Sequence, residues 1–152
     1  MTIVDRILCR PCIFCAIADG SIPTTLIYKD DKIAAFNDIN PAAETHILIV
    51  PVDHVKSVKT LTTDHIPLLE KMHQKGIDLL RERGHNPEQS RLGFHVPPFN
   101  TVDHLHLHVV GGAMKSNFRK LKYETGRMWY MDLTQLHATL DKKRRLQEGA
   151  RL

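Results

Sequence analysis

The segment His104-Leu105-His106-Leu107-His108-Val109-Val110 alternates imidazoles with apolar side chains. In an extended strand, successive side chains point to opposite faces. His104, His106 and His108 therefore share one face, and Leu105, Leu107 and Val109 share the other. The apolar face suits a core, and the histidine face suits an open surface or cleft. Neighbouring imidazoles repel when protonated, so the cluster gains from an anionic ligand or a metal. Two chemistries follow. Three histidines and a water can hold a catalytic zinc. However, alternate positions on one strand lie about two residue rises apart, so three collinear rings converge poorly on one ion. Attack on phosphorus suits a line better. One neutral imidazole is the nucleophile, a neighbour fixes its tautomer, and another holds phosphate oxygens or protonates the departing group. Imidazoles titrate near neutral pH, so acid and base roles are both open to them.

The elements that must position these rings can be read from pattern. Cys12 to Ala18 predicts a short helix, with Ile13, Phe14 and Ile17 at helical spacing, ended by Gly20-Ser21-Ile22-Pro23. Thr24–Tyr28 and Ile33–Asn37 read as strands joined by a hairpin at Asp30-Asp31. His46–Pro51 is a third strand, which Pro51 ends. Asp64–Arg83 is a helix whose apolar stripe runs through Ile66, Leu69, Met72, Ile77 and Leu80, with Thr63 or Asp64 as N-cap and Gly84 as C-cap. Arg91–Val96 and His104–Val110 are the fourth and fifth strands, the last ended by Gly111-Gly112. Asp132–Leu146 is a second amphipathic helix. This order predicts an α+β domain, an antiparallel sheet of about five strands with helices packed against it.

The chain has 152 residues, 42% hydrophobic and 25% charged, which suits one globular domain and excludes a disordered chain. No apolar run is long enough for a membrane-spanning helix, and Met1 to Arg6 does not open a secretory signal. These features read as an intracellular, cytoplasmic protein without membrane association. We divide it into a flexible N-terminus (1–11), one domain (12–140) and a basic tail (141–152). The tail holds Lys142-Lys143-Arg144-Arg145 and Arg151; it could serve as a nuclear address or touch nucleic acid, but such a run is more often a solvated helix end. The net charge of +4 says little about substrate. Cys9, Cys12 and Cys15 fall within one short stretch, a spacing that suits metal binding or burial better than disulfides.

The triplet His104-Leu105-His106-Leu107-His108-Val109-Val110 resembles the histidine triad motif. The likeness extends from Cys12-Ile13-Phe14-Cys15 through Phe36-Asn37-Asp38-Ile39-Asn40-Pro41 and Thr45-His46-Ile47-Leu48-Ile49-Val50-Pro51 to Gly112, about two-thirds of the chain. It is closest to the Hint group of nucleoside phosphoramidases, and within it to the third type. The resemblance implies a fold and a set of roles. His106 would attack the α-phosphorus of an adenosine monophosphoramidate, and water would then release AMP from the nucleotidyl-histidine. His108 would contact the phosphate and assist the leaving group, while His104 and His46 orient or polarise the cluster. Asp38 would accept from both ribose hydroxyls. Ile13, Phe14, Ile17, Phe36 and Ile39 would form the purine slot, and Asn100 and Thr101 would bind phosphate or leaving group. Some family members bind a structural zinc at positions matching Cys12, Cys15, His54 and His104, which would leave Cys9 a free thiol; catalysis itself would need no cofactor. A homodimer is expected by the same analogy.

Taken singly, these residues have plainer readings. Asp38 beside Asn40-Pro41 can be a turn residue, Ile13, Phe14 and Ile17 can be core, Thr101 an ordinary loop hydroxyl, and His46 a packing histidine. The chain also departs from the Hint pattern. Phe94-His95-Val96-Pro97-Pro98-Phe99-Asn100 replaces a glycine-rich loop, so fewer backbone N–H groups face the phosphate, and His95 stands near an asparagine of the better-known branch. Trp129, Tyr130 and Met131 read as core, with a dimer interface or a cover over the site as the alternatives. Two other functions compete: aprataxin-like removal of adenylate from nucleic-acid ends, and a non-catalytic purine nucleotide-binding protein. The first is disfavoured because no zinc-finger set follows the triad.

Overall fold

Two strands that are buried on both faces define the centre of the molecule. In the computed structural model, which describes residues 12–151, β3 (Ala43–Pro51) and β5 (Leu107–Met114) pair antiparallel, with Ile47 opposite Val109 and Ile49 opposite Leu107. Around them lie β1 (Leu26–Lys29), β2 (Ile33–Asn37), β4 (Arg91–His95) and the two-residue β6 (Tyr130–Met131). The sheet order is β1-β2-β3-β5-β4-β6, and every neighbouring pair is antiparallel. The expected α+β class holds, with six strands in place of about five. The segment 1–11 and Cys9 lie outside the described residues.

Period-two alternation sorts the side chains into two layers. Ile33, Ala35, Ile47, Ile49, Leu105, Leu107 and Val109 form the first layer and join Leu69, Met72, Leu79 and Leu80 in one core. The last four come from α2 (Ile66–Glu82), the long helix expected from the apolar stripe. Its start is a short 3-10 turn at Thr63–His65, and Gly84 at φ +78° follows its end. Gly76 brings this helix close to the sheet: a Cβ there would meet Leu92 and Val109 side chains at 2.9 Å. The opposite layer holds Ala34, Phe36, Leu48 and Val50 against Phe14, Ile17 and Ala18 of α1 (Ile13–Asp19). The triad histidines belong to this second layer, so α1 and the rings share one side of the sheet.

Two expectations need correction. The fifth strand begins at Leu107, three residues later than expected, and continues through Gly111-Gly112 to Met114. Gly112 has φ +83°, and the β3–β5 register shifts between Ala43 and Thr45. The glycines mark an irregularity in the ladder, which glycine permits, and the strand does not end there. The third strand starts at Ala43, so His46 lies within it. The helix α4 (Leu133–Gly149) carries the basic run, in keeping with its reading as a solvated helix end. Along that helix Arg144 approaches Glu148 at 3.4 Å, and Lys143 Nζ donates to the Leu61 carbonyl at 2.9 Å. A short helix α3 (Asn117–Lys122) and β6 were not expected from the sequence. Among the described residues, no helix is long and apolar enough to cross a membrane.

Candidate active site

The side of the sheet carrying α1 contains a cavity of about 340 Å³, within the range of small-molecule sites. Its floor is His106 and His108, presented at the entry to β5. Its apolar wall is Ile13, Phe14 and Ile17 from α1, facing Phe36 and Leu48 from β2 and β3. Phe14 meets the Phe36 ring edge-on at 5.5 Å and the His106 ring at 5.1 Å. Ile39, fully exposed, stands at the mouth. The apolar positions expected for a purine slot therefore converge. Asp38 and Thr101 also line the cavity.

Asn100 does not join them. Its amide donates to the Val102 carbonyl at 3.2 Å and to Asp103 Oδ1 at 3.1 Å, so it shapes its own loop, and it lies outside the cavity lining. His104 is also away from the cavity. It is fully buried and sits behind the nucleophile position, so only two triad rings reach the space where a ligand could lie. The expectation that all three line an open face is corrected on this point. Asp38 makes the contact that its plainer reading as a turn residue expects. Its Oδ1 accepts the Asn40 backbone N–H at 2.8 Å, a turn contact, and its Oδ2 lies 3.4 Å from His46 Nε2.

The rings are tied together. His106 Nδ1 donates to the His104 carbonyl at 2.7 Å, which leaves Nε2 with its lone pair. His46 Nε2 is 2.9 Å from His108 Nδ1, and His108 Nε2 is 3.1 Å from His95 Nδ1. Burial pushes His46 and His95 down to about 4; Asp38 opposes this at His46 and the Lys122 carbonyl opposes it at His95. Burial also lowers His106, against the His104 carbonyl and Asp38, and holds His108 well below its ordinary value. Neutral rings with free lone pairs are what a nitrogen nucleophile requires.

Three lining residues escaped the sequence reading or entered it only as a departure. Tyr123 packs edge-on against His46, His95 and His108, each at 5.1 Å. Among the described residues that line the cavity, Lys122 is the only cationic one and Asp38 the only anionic one. His95 ends β4 and touches His108 directly. Lys122 and Tyr123 lie in a segment without clear periodicity, so no pattern pointed to them.

A second cluster joins α1 to the entry of β5. Cys12, Cys15, His54 and His104 bring their donor atoms within 4.8 Å of one another. His54 Nδ1 and His104 Nδ1 are 3.2 Å apart; Cys12 Sγ is 3.3 Å from His104 Nδ1, and Cys15 Sγ is 3.3 Å from His54 Nδ1. A zinc tetrahedron with Zn–N of about 2.0 Å and Zn–S of about 2.3 Å has edges of roughly 3.3–3.8 Å. The set fits that ion. His104 Nε2 donates to the Pro51 carbonyl at 2.9 Å, which directs the Nδ1 lone pair into the cluster.

Comparison with known proteins agrees with this geometry. Residues 11–124 match the family model described as scavenger mRNA decapping enzyme C-term binding. The adenosine 5'-monophosphoramidase HINT3 of Xenopus tropicalis is 39% identical over 128 residues, covering 82% of this chain and 84% of that protein. The chain belongs to the histidine triad superfamily. A second relative of this superfamily, from Arabidopsis thaliana, is 39% identical over 120 residues, 76% of this chain and 80% of its own; it is the bifunctional adenosine 5'-phosphosulfate phosphorylase/adenylylsulfatase HINT4. Among solved structures, a HIT family hydrolase from Legionella pneumophila superposes with a TM-score of 0.65 at 36% identity, covering 70% of this chain and 96% of that one.

Proposed function

We propose that this histidine triad protein hydrolyses adenosine 5'-monophosphoramidates through a nucleotidyl-histidine intermediate and releases AMP. The observation that carries the reading is His106: its Nδ1–H is held by the His104 carbonyl at 2.7 Å, while its ring lines the cavity. The purine occupies the slot between Phe14 and Ile17 on one side and Phe36 and Leu48 on the other. Asp38 accepts from the ribose hydroxyls; its oxygens keep lone pairs beyond those facing Asn40 and His46. Thr101, the His108 ring and Lys122 surround the phosphate.

His106 Nε2 forms a bond to phosphorus as the P–N bond breaks. The departing amine takes the electron pair of that bond and a proton from water. The His104 carbonyl stabilises the positive imidazole ring so formed. A water molecule then attacks phosphorus, loses its proton to solvent, and returns the electron pair to His106 as AMP leaves. Cys12, Cys15, His54 and His104 would hold a zinc whose closed shell fastens α1 to the entry of β5.

The test is turnover of an adenosine phosphoramidate by the wild type and by His106→Ala. Release of AMP by the wild type alone, with AMP binding kept in both, is the expected result. Equal turnover in both, or none in either, would reject the reading. Lys122 in the cavity lining favours a second substrate: adenosine 5'-phosphosulfate, whose leaving group is an anion. The HINT4 relative acts on that compound by its name. Faster turnover of the phosphosulfate than of the phosphoramidate would support this second reading.

A further inference from the structure

The nitrogens of His46, His108 and His95 form one chain, and the backbone fixes its polarity at both ends. At one end the Ala42 N–H can only donate, and it points to His46 Nδ1 at 3.0 Å. That nitrogen must accept, so the proton of neutral His46 sits on Nε2. It donates to His108 Nδ1 at 2.9 Å, which places the His108 proton on Nε2. That proton points to His95 Nδ1 at 3.1 Å, which leaves the His95 proton on Nε2. At the far end the Lys122 carbonyl can only accept, and it lies 3.2 Å from His95 Nε2. Worked from either end, the assignment is the same.

We propose that His95 is a positioning residue: it accepts the His108 Nε2–H, donates onward to the Lys122 carbonyl, and so holds the His108 ring neutral and fixed beside the nucleophile. The proposal rests on the nucleotidyl-histidine reading of the site. His95 and His108 both line the cavity, and the His108 and His106 rings are 4.8 Å apart. Within this chain an added proton has no favourable place. On His108 it would oppose the His46 N–H, on His95 the His108 N–H, and on His46 the Ala42 N–H. His108 therefore stands beside His106 as a neutral ring with both of its nitrogens engaged. A plain packing role would explain the His95 contacts with Tyr123 and Tyr130, at 5.1 and 5.2 Å, but it would require nothing of the two ring nitrogens.

The first readout needs no substrate. In the nitrogen-15 spectrum of the full chain at neutral pH, His46, His95 and His108 are expected as neutral Nε2–H tautomers, and His106 as the Nδ1–H tautomer. An Nδ1–H tautomer at His95 or His108 overturns the proposal. The second readout is turnover. His95→Phe is expected to lower kcat about 10- to 100-fold, the range for loss of a supporting partner, with KM within about twofold. His95→Gln carries an acceptor and donors, and is expected to restore kcat to within about threefold of wild type. A Gln variant as slow as the Phe variant, or a raised KM at unchanged kcat, overturns the proposal. Should His95→Phe fail to fold, the wild-type tautomers and His95→Gln still decide it. Absence of wild-type turnover with the tautomers as assigned counts against the phosphoramidase reading alone.

Discussion

At the scale of single residues, the described lining of the cavity is neutral apart from one carboxylate and one ammonium. Its histidines are held uncharged by burial, so under the proposed reading the phosphate meets one formal positive charge among these residues, Lys122. Lys122 is half-buried, and its ammonium lies 5.6 Å from the Tyr123 ring centroid. A half-exposed charge interaction contributes about 1 kcal/mol or less. Lys122→Gln is therefore expected to lower kcat/KM by roughly two- to fivefold, corresponding to that energy. The loss should shrink as salt rises, because screening weakens only the charged enzyme. Steady-state kinetics of both proteins at low and high ionic strength would check this. An unchanged kcat/KM at low salt would show that Lys122 does not meet the substrate's charge.

At the scale of elements, the site depends on joining α1 to the sheet. Cys12 caps α1, with Sγ accepting the Cys15 N–H at 3.5 Å, and Cys15 follows one turn on. With His54 after β3 and His104 before β5, they link three segments at one point. Zinc there is expected to bind one ion per chain, with loss in Cys15→Ser. Its removal by a strong chelator should lower Tm by on the order of 10 °C, given metal-binding energies and the shift per kcal/mol for a domain this size. Metal analysis and thermal unfolding would check both. A metal-free protein after growth with zinc, with Tm indifferent to chelator, would refute it. Only part of this arrangement was legible in the sequence. Alternation placed Leu105, Leu107 and Val109 in the α2 core, where they are found. The same alternation extended the strand back to His104, because residue types reveal facing but not ladder hydrogen bonds. The Gly111-Gly112 pair was taken as a stop, whereas it accommodates an irregular register. Two-residue β6 and six-residue α3 are too short to show a period. They nevertheless bring Tyr130 and Lys122 to the histidines. Gly93 shows how closely: a Cβ there would come within 2.7 Å of the Tyr130 ring.

At the scale of the whole molecule, burying several neutral imidazoles links stability to pH. His46 and His95 ionise near 4 in the folded protein, and His108 is lowered as well, all by burial. In the unfolded chain the same rings ionise near about 6.5. Between these values the unfolded state holds more protons than the folded one, so stability rises with pH. The contribution is complete above about pH 6.5 and is lost as pH falls toward about 4. Acidification therefore favours unfolding before most carboxylates begin to titrate. The denaturant midpoint is expected to be nearly constant from about pH 7 to 8 and to fall steadily below about 6.5. Urea unfolding across that range would check the sign. A midpoint that rises on acidification from pH 6.5 to 5 would mean that the cluster takes up protons in the folded state. It would then contradict the neutral, fixed-polarity chain on which His108 depends.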